Sequence, residues 1–171
     1  MDEVGFSFLD KIATTWAPRG ETPVVLRTSE RRVLSTIIAL TTDAKLLKRH
    51  FDHAITGADI LVALRHFRRY LPGPLILIWD RLTAHRDRRV QQWIAADPDL
   101  YVEWLPPYAP DLNPEEGCND NLKNAVRNAA PETVEELRLL VDRAFDRLRK
   151  RTDLLQAFFQ HARLDGVNLI T

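Results

Sequence analysis

Polar and apolar residues alternate from the second position: Asp2, Val4, Phe6 and Phe8 share one face, and Glu3, Gly5 and Ser7 the other. A period of two predicts a strand over residues 2–9. It also sets the Asp2 carboxylate among apolar side chains, a costly place for an acid without a role. A loop with Pro18 and Gly20 follows. Two runs dominated by Val, Ile and Thr, residues 22–28 and 31–42, lie on either side of Ser29-Glu30 and predict a hairpin.

Further on the period lengthens to 3.6. Thr56, with Asp59 three residues later, has the form of a helix N-cap and its reciprocating acid. Ile60, Leu61, Leu64 and Phe67 or Leu71 then recur on one side until Pro72-Gly73-Pro74 stops the helix. Residues 75–79, LILIW, are apolar without a break, as expected of a strand covered on both faces. A short helix over 90–96, a strand over 100–105 ended by Pro106-Pro107, and a helix opened by Asn113-Pro114 come next. In the last third Val134, Leu137, Val141, Phe145 and Leu148 keep the helical period behind a Thr133–Glu136 capping box.

Three strands, then helix, strand, helix, strand and a run of helices make an α/β order with an initial antiparallel meander. No repeat, low-complexity tract or interdomain linker interrupts it, and 171 residues suit one well-buried domain. The 45% hydrophobic and 28% charged residues are those of an ordinary soluble globular protein. No apolar run reaches the roughly 18 residues that span a bilayer, and the acidic start MDEVGFSF is not a secretory signal. A membrane partner is therefore excluded and the cytoplasm is the expected location. Cys118 is the single cysteine, which excludes an internal disulfide and a cysteine-based zinc site. Net charge is zero, yet the cations are clustered at 27–32, 45–50, 65–69, 86–89 and 147–151. A positive face can coexist with a neutral total, although most such clusters are solvated element edges.

The candidate chemistry lies in the acids. Asp80 closes the apolar strand, and Glu115 and Glu116 open the helix after Asn113. Carboxylates on rigid, converging element ends are how a fold assembles a site for Mg²⁺ or Mn²⁺, which prefer hard oxygen ligands. Each acid also has an ordinary reading. Asp80 suits a turn, Glu116 suits a capping box with Asn113, and Asp2 suits a frayed terminus. His85 taken alone is a hydrogen-bonding residue before it is a catalyst.

The segments around these acids carry a resemblance. WDRLTAH, from Trp79 to His85, and LPPYAPDLNPEEG, from Leu105 to Gly117, resemble the second-Asp and Glu segments of the DDE transposases, in the bacterial insertion-sequence branch of the mariner-like superfamily. DEVGF at residues 2–6 and WAPRG at 16–20 resemble the first-Asp motif and the segment that follows it. On the family's Leu-Asn-Pro, apolar, Glu pattern, Glu115 takes the apolar position and Glu116 the catalytic one. Thirty-five residues intervene between Asp80 and Glu116, close to the short spacing typical of the superfamily. Glu115 differs by one, so spacing does not separate the pair.

The resemblance implies a ribonuclease H-like mixed sheet, a three-strand antiparallel meander plus parallel strands, flanked by helices. It implies Asp2, Asp80 and Glu116 as catalytic residues and as ligands of two Mg²⁺ or Mn²⁺ ions, with His85 and Asn113 in support. The implied reaction is hydrolytic nicking of DNA at an element end, followed by attack of the freed 3′-hydroxyl on target DNA. The partners are then the element ends and the target duplex, with a homodimer as the expected assembly. Arg81, Arg86, Arg88, Arg89 and Lys123 would hold phosphates without reading sequence.

Three departures from the family pattern stand out. Residues 1–171 carry no helix-turn-helix region ahead of the catalytic domain, and only Met1 precedes Asp2 in the first strand. An N-terminally truncated copy is therefore expected. Asn119 stands where the family usually has an aromatic, and with Glu115 at an apolar position this points to a decaying copy. The competing expectation is a folded remnant that dimerises or binds DNA without cutting it. A stand-alone nuclease for RNA–DNA hybrids agrees less well with the LNPEE segment.

Overall fold

The computed structural model describes residues 1–8, 16–20, 33–127 and 129–164. Strands β1 (Asp2–Ser7), β2 (Val33–Leu40) and β3 (Leu46–Phe51) form an antiparallel sheet in chain order. Asp2 lies opposite Ile38, which lies opposite Lys48. The meander exists, but its third strand is not the expected one. The run at 22–28 falls outside the described residues, and the last strand is LLKRHF, legible in the sequence only as a basic cluster. Its charges hide the strand because they find partners: Lys48 and His50 both reach Asp142. A tight reversal at residues 41–45 turns β2 into β3, with Ala44 in the left-handed region at φ 60° and Lys45 N donating to Thr41 Oγ1.

Helix α1 (Gly57–Arg68) begins as expected, with Asp59 Oδ2 accepting from Thr56 N at 2.9 Å. Ile60, Ala63, Leu64 and Phe67 are its buried stripe. A Cβ at Gly57 would come within 2.3 Å of Asp87, so only glycine lets α1 start against the N-cap of α2 (Arg88–Ala95). Strands β4 (Leu75–Trp79) and β5 (Leu100–Trp104) pair in parallel across that helix. Leu105 N, donating to Trp79 O at 2.9 Å, carries the ladder one residue further. The expectation that β4 is covered on both faces fails at Ile76, which is 37% exposed. Ile76 and Ile78 border an apolar groove shared with Met1, Leu40 and Phe159, and no described element fills it.

Helices α3 (Pro114–Val126), α4 (Val134–Arg149) and α5 (Thr152–His161) complete the chain. Thr133 Oγ1 caps α4 by accepting from Glu136 N at 3.1 Å. The return bond from Glu136 reaches Glu132 N, one residue before the expected partner. Val4, Phe6, Leu34 and Ile38 face α3, α4 and α5 in one core. Met1, Ile37 and Ala39 face α1, α2 and the parallel pair in the other. Each buried Leu, Ile or Phe contributes roughly 1.5–3 kcal/mol, so these two cores fix the layer order. The two ladders meet where Met1 N donates to Ile78 O at 2.8 Å. No helix among the described residues is long and apolar enough to cross a membrane.

Candidate active site

Alternation along β1 sends its two acids to opposite sides of the sheet. Asp2 turns towards α3, where Oδ2 accepts from Asn113 Nδ2 at 3.0 Å and Asn119 Nδ2 at 2.9 Å. Oδ1 accepts from Glu3 N at 2.8 Å. Asn113 performs two tasks, because its Oδ1 also caps α3 by accepting from Glu115 N at 3.2 Å. Burial, then the charges of Glu3 and Glu115, push the Asp2 carboxyl up to about 6 against the weaker pull of the Glu3 amide and the Met1 ammonium.

Glu3 turns the other way and meets His85. Its Oε1 lies 2.7 Å from His85 Nε2, while His85 Nδ1 lies 2.9 Å from Asp80 Oδ1 and 3.1 Å from Asp80 O. The imidazole is wholly buried and stacks on Trp79 with 4.2 Å between centroids and 14° between planes. Asp80 follows β4 directly, and Leu82 N donates to its Oδ1 at 2.9 Å, so the expected turn role is present as well.

The two glutamates of α3 divide by burial. Glu115 is 3% exposed; its Oε1 accepts from Leu40 N at 3.1 Å and lies 2.6 Å from Met1 N. Glu116 is exposed, and its amide donates to Asn113 O at 3.1 Å. Between β1, the end of β4 and the start of α3 opens a cleft of about 530 Å³. Asp2, Asp80 and Glu116 all line it, with Arg81, Arg86, Asn113 and the wall from Leu105 to Pro110. Glu115 does not. Tyr108, on that wall, is fully exposed and sits in the left-handed region at φ 58°, a strained setting for a bulky residue.

The basic residues expected to hold phosphate separate in the same way. Arg81 and Arg86 line the cleft and have no carboxylate partner among the described residues. Arg88 is exposed at the start of α2, and Lys123 is exposed two turns beyond Glu116, both away from the cleft lining. Arg89 forks onto Asp87, at 3.1 and 2.9 Å, so a phosphate would have to displace a carboxylate.

Three carboxylates around one cleft are a hard-oxygen donor set that suits a divalent cation. They stand apart around it rather than in mutual contact. Among the described residues, the group whose ligand atoms lie within 4.8 Å of one another is Glu3, Asp80 and His85. In that group both ring nitrogens already face acceptor oxygens, which makes it a hydrogen-bonded chain rather than a cage. Glu3 and Asn119 are the residues that sequence reasoning passes over. Asn119 departs from the family pattern, but its place in the buried stripe of Cys118, Leu122 and Val126 also signals a polar group with a partner.

A family profile described as DDE superfamily endonuclease matches residues 1–138. By fold the chain is similar to the Mos1 mariner paired-end complex with Mn, with TM-score 0.73 and 15% identity over 96% of this chain and 51% of that one. The paired-end complex with Mg gives TM-score 0.72 and 14% identity over 95% and 50%. The Mos1 strand transfer complex gives 0.66 and 16% over 96% and 53%. The chain thus spans about half the length of the chains it matches, and at these identities the likeness shows the ribonuclease H-like fold. No curated protein sequence matches it. With the profile covering β1 through the first turn of α4, and the three expected acids lining one cleft, the chain belongs to the DDE superfamily endonucleases.

Proposed function

We propose that this chain is the catalytic domain of a transposase, of the bacterial insertion-sequence kind, that cuts and joins DNA strands. The observation that carries the reading is the convergence of Asp2, Asp80 and Glu116 from three separate elements on one cleft. Among the described residues no donor takes Asp80 Oδ2, and Glu116 is exposed, whereas an ion at Asp2 would share oxygens that already accept from Glu3 N, Asn113 and Asn119. Two divalent cations bound there would activate the attacking water or hydroxyl and stabilise the leaving oxygen. The chain's own contribution is placement. Asn113 and Asn119 fix Asp2, while Arg81 and Arg86, without a carboxylate partner among the described residues, offer their guanidinium groups to the phosphates of an element end or a target duplex. Tyr108 presents a ring on which an unpaired base can stack. Mos1, by the descriptions of its complexes, pairs transposon ends and transfers strands. The same reading gives this chain a homodimer on paired ends and a place of action in the bacterial cytoplasm.

The test is nicking of supercoiled plasmid DNA in Mn²⁺, beside Asp80→Asn. Metal-dependent nicks that Asp80→Asn removes support the reading. A folded chain that does not cut, with a melting temperature indifferent to Mn²⁺, supports the alternative of an inactive module that binds DNA or dimerises. One observation favours that alternative. Asp2 Oδ2 and Asp80 Oδ1 are already engaged by protein donors, and the triad is more widely spaced than the Glu3–Asp80–His85 group. A bound ligand at about a hundred times its Kd adds about 2.7 kcal/mol to the folded state, so the melting shift is easily seen.

A further inference from the structure

We propose that Glu3 is a positioning residue for Asp80, acting through His85. The inference rests on the reading of Asp80 as a metal ligand. Glu3 does not line the cleft, so it does not share the place of Asp2. It reaches instead beneath the end of β4 and takes His85 Nε2 at 2.7 Å. That bond, with the stack on Trp79, fixes both the plane and the rotation of a wholly buried ring. The opposite nitrogen, Nδ1, is thereby aimed at Asp80, 2.9 Å from its Oδ1.

The consequence for Asp80 is an asymmetry. Oδ1 accepts from Leu82 N and lies in ion-pair range of His85 Nδ1, whose hydrogen bond goes to the Asp80 carbonyl at 3.1 Å. Oδ2 has no donor among the described residues, and the side chain is 49% exposed on the cleft. A carboxylate with one oxygen clamped and the other free presents a single, directed ligand atom. Partners of this kind behind a ligand typically change metal affinity by about 10- to 100-fold. Gln91 Nε2, donating to His85 O at 2.7 Å, fixes the backbone of the same residue, so the ring is secured from both ends.

The experiment is Mn²⁺ titration of the full chain followed by electron paramagnetic resonance of the free ion, for wild type, Asp80→Asn, Glu3→Ala and Glu3→Gln. Metal-free melting is recorded alongside. The expected order is no binding for Asp80→Asn, about 10-fold weaker binding for Glu3→Ala, and near-complete recovery for Glu3→Gln. The Gln amide oxygen still accepts from Nε2–H. A simple structural role would lower the metal-free melt without this rescue of affinity. Glu3→Ala binding as wild type while Asp80→Asn binds nothing would overturn the inference and leave the triad standing. Glu3→Gln losing Mn²⁺ as fully as Asp80→Asn would make Glu3 a ligand and overturn it too. Unchanged binding by Asp80→Asn would sink the reading beneath it. If Glu3→Ala does not fold, ¹⁵N spectra of wild type decide: Mg²⁺ should move the His85 Nδ1 resonance, and an unmoved resonance overturns the inference.

Discussion

His50 and His85 each tie a strand to the element packed beside it, and their settings differ. His50, on β3, has Nδ1 2.7 Å from Thr36 Oγ1 and Nε2 3.0 Å from Asp142 Oδ1 of α4, a carboxylate that Lys48 also takes. Thr, His and Asp in that order have the connectivity of a nucleophilic triad. Thr36, however, is wholly buried beneath the sheet, so no substrate reaches its hydroxyl. His85 instead lies between two carboxylates beside an open cleft. Burial pulls the His50 pKa down, and Lys48 and Arg138 help it prevail over Asp142. Burial pulls His85 down as well, but Glu3 and Asp80 outweigh it and the net shift is upward. A hydrogen-bonded chain therefore says little by itself; what stands at its end, and whether solvent reaches it, separates staple from site.

The largest expected break in that comparison is His85→Ala. It empties a stacked, buried position and strands Glu3, at a cost of about 3 kcal/mol in urea unfolding. It should also abolish most of the Mn²⁺-dependent rise in melting temperature. His50→Ala should lower stability and leave the Mn²⁺ response intact. Equal loss of the Mn²⁺ response in both variants would erase the distinction.

The same contrast shows what is legible in the sequence. Period-two alternation puts Asp2 on the face of Val4 and Phe6 and Glu3 on the other, and the structure turns the first face to α3 and the second to His85. The apolar run and its terminal acid locate β4 and Asp80. What stays hidden depends on contacts distant in the chain. Glu3 and His85 are 82 residues apart, and no local pattern announces their bond. β3 escapes notice because a strand whose Lys and His find an acid on α4 looks like a solvated basic run until α4 is in place. Glu115 and Glu116 are neighbours with nearly equal spacing to Asp80, and only the packing of α3 turns one inward to Leu40 N and the other to the cleft.

Asn119 gives the next effect in size. If it marks decay, an apolar substitute should improve packing and cost nothing else. If it holds Asp2, Asn119→Leu should weaken Mn²⁺ binding several-fold, because Oδ2 loses one of its two amide donors. Metal-free stability should move by about 1 kcal/mol or less, since Asn119 Oδ1 is itself buried without a partner among the described residues and its removal offsets the lost bond. Calorimetric Mn²⁺ titration beside a urea melt separates the two cases. Asp142→Asn, on the staple, should cost about 1 kcal/mol or less and leave Mn²⁺ affinity unchanged, because its carboxylate is partly solvated and remote from the cleft.

The smallest effect, and the one that sharpens the comparison most, is in the sign of two pH slopes. His85 has a folded pKa above its ordinary 6.5, so its contribution is complete below that value and is lost as pH rises through the folded pKa. His50 has a folded pKa below 6.5, so its contribution is present above that value and is lost as pH falls through the folded pKa. His85→Gln should therefore flatten the loss of stability on the alkaline side, and His50→Gln the loss on the acid side. A single proton limits either slope to about 1.4 kcal/mol per pH unit. Asp2, raised from 3.8 to about 6, adds its own fall in stability between those values as pH rises. That fall is common to both variants, so the difference between their urea midpoints, followed from about pH 5 to about pH 8, isolates the imidazoles. Slopes of the same sign in both would mean that the two rings share one electrostatic setting, and the division between staple and site would have to rest on geometry alone.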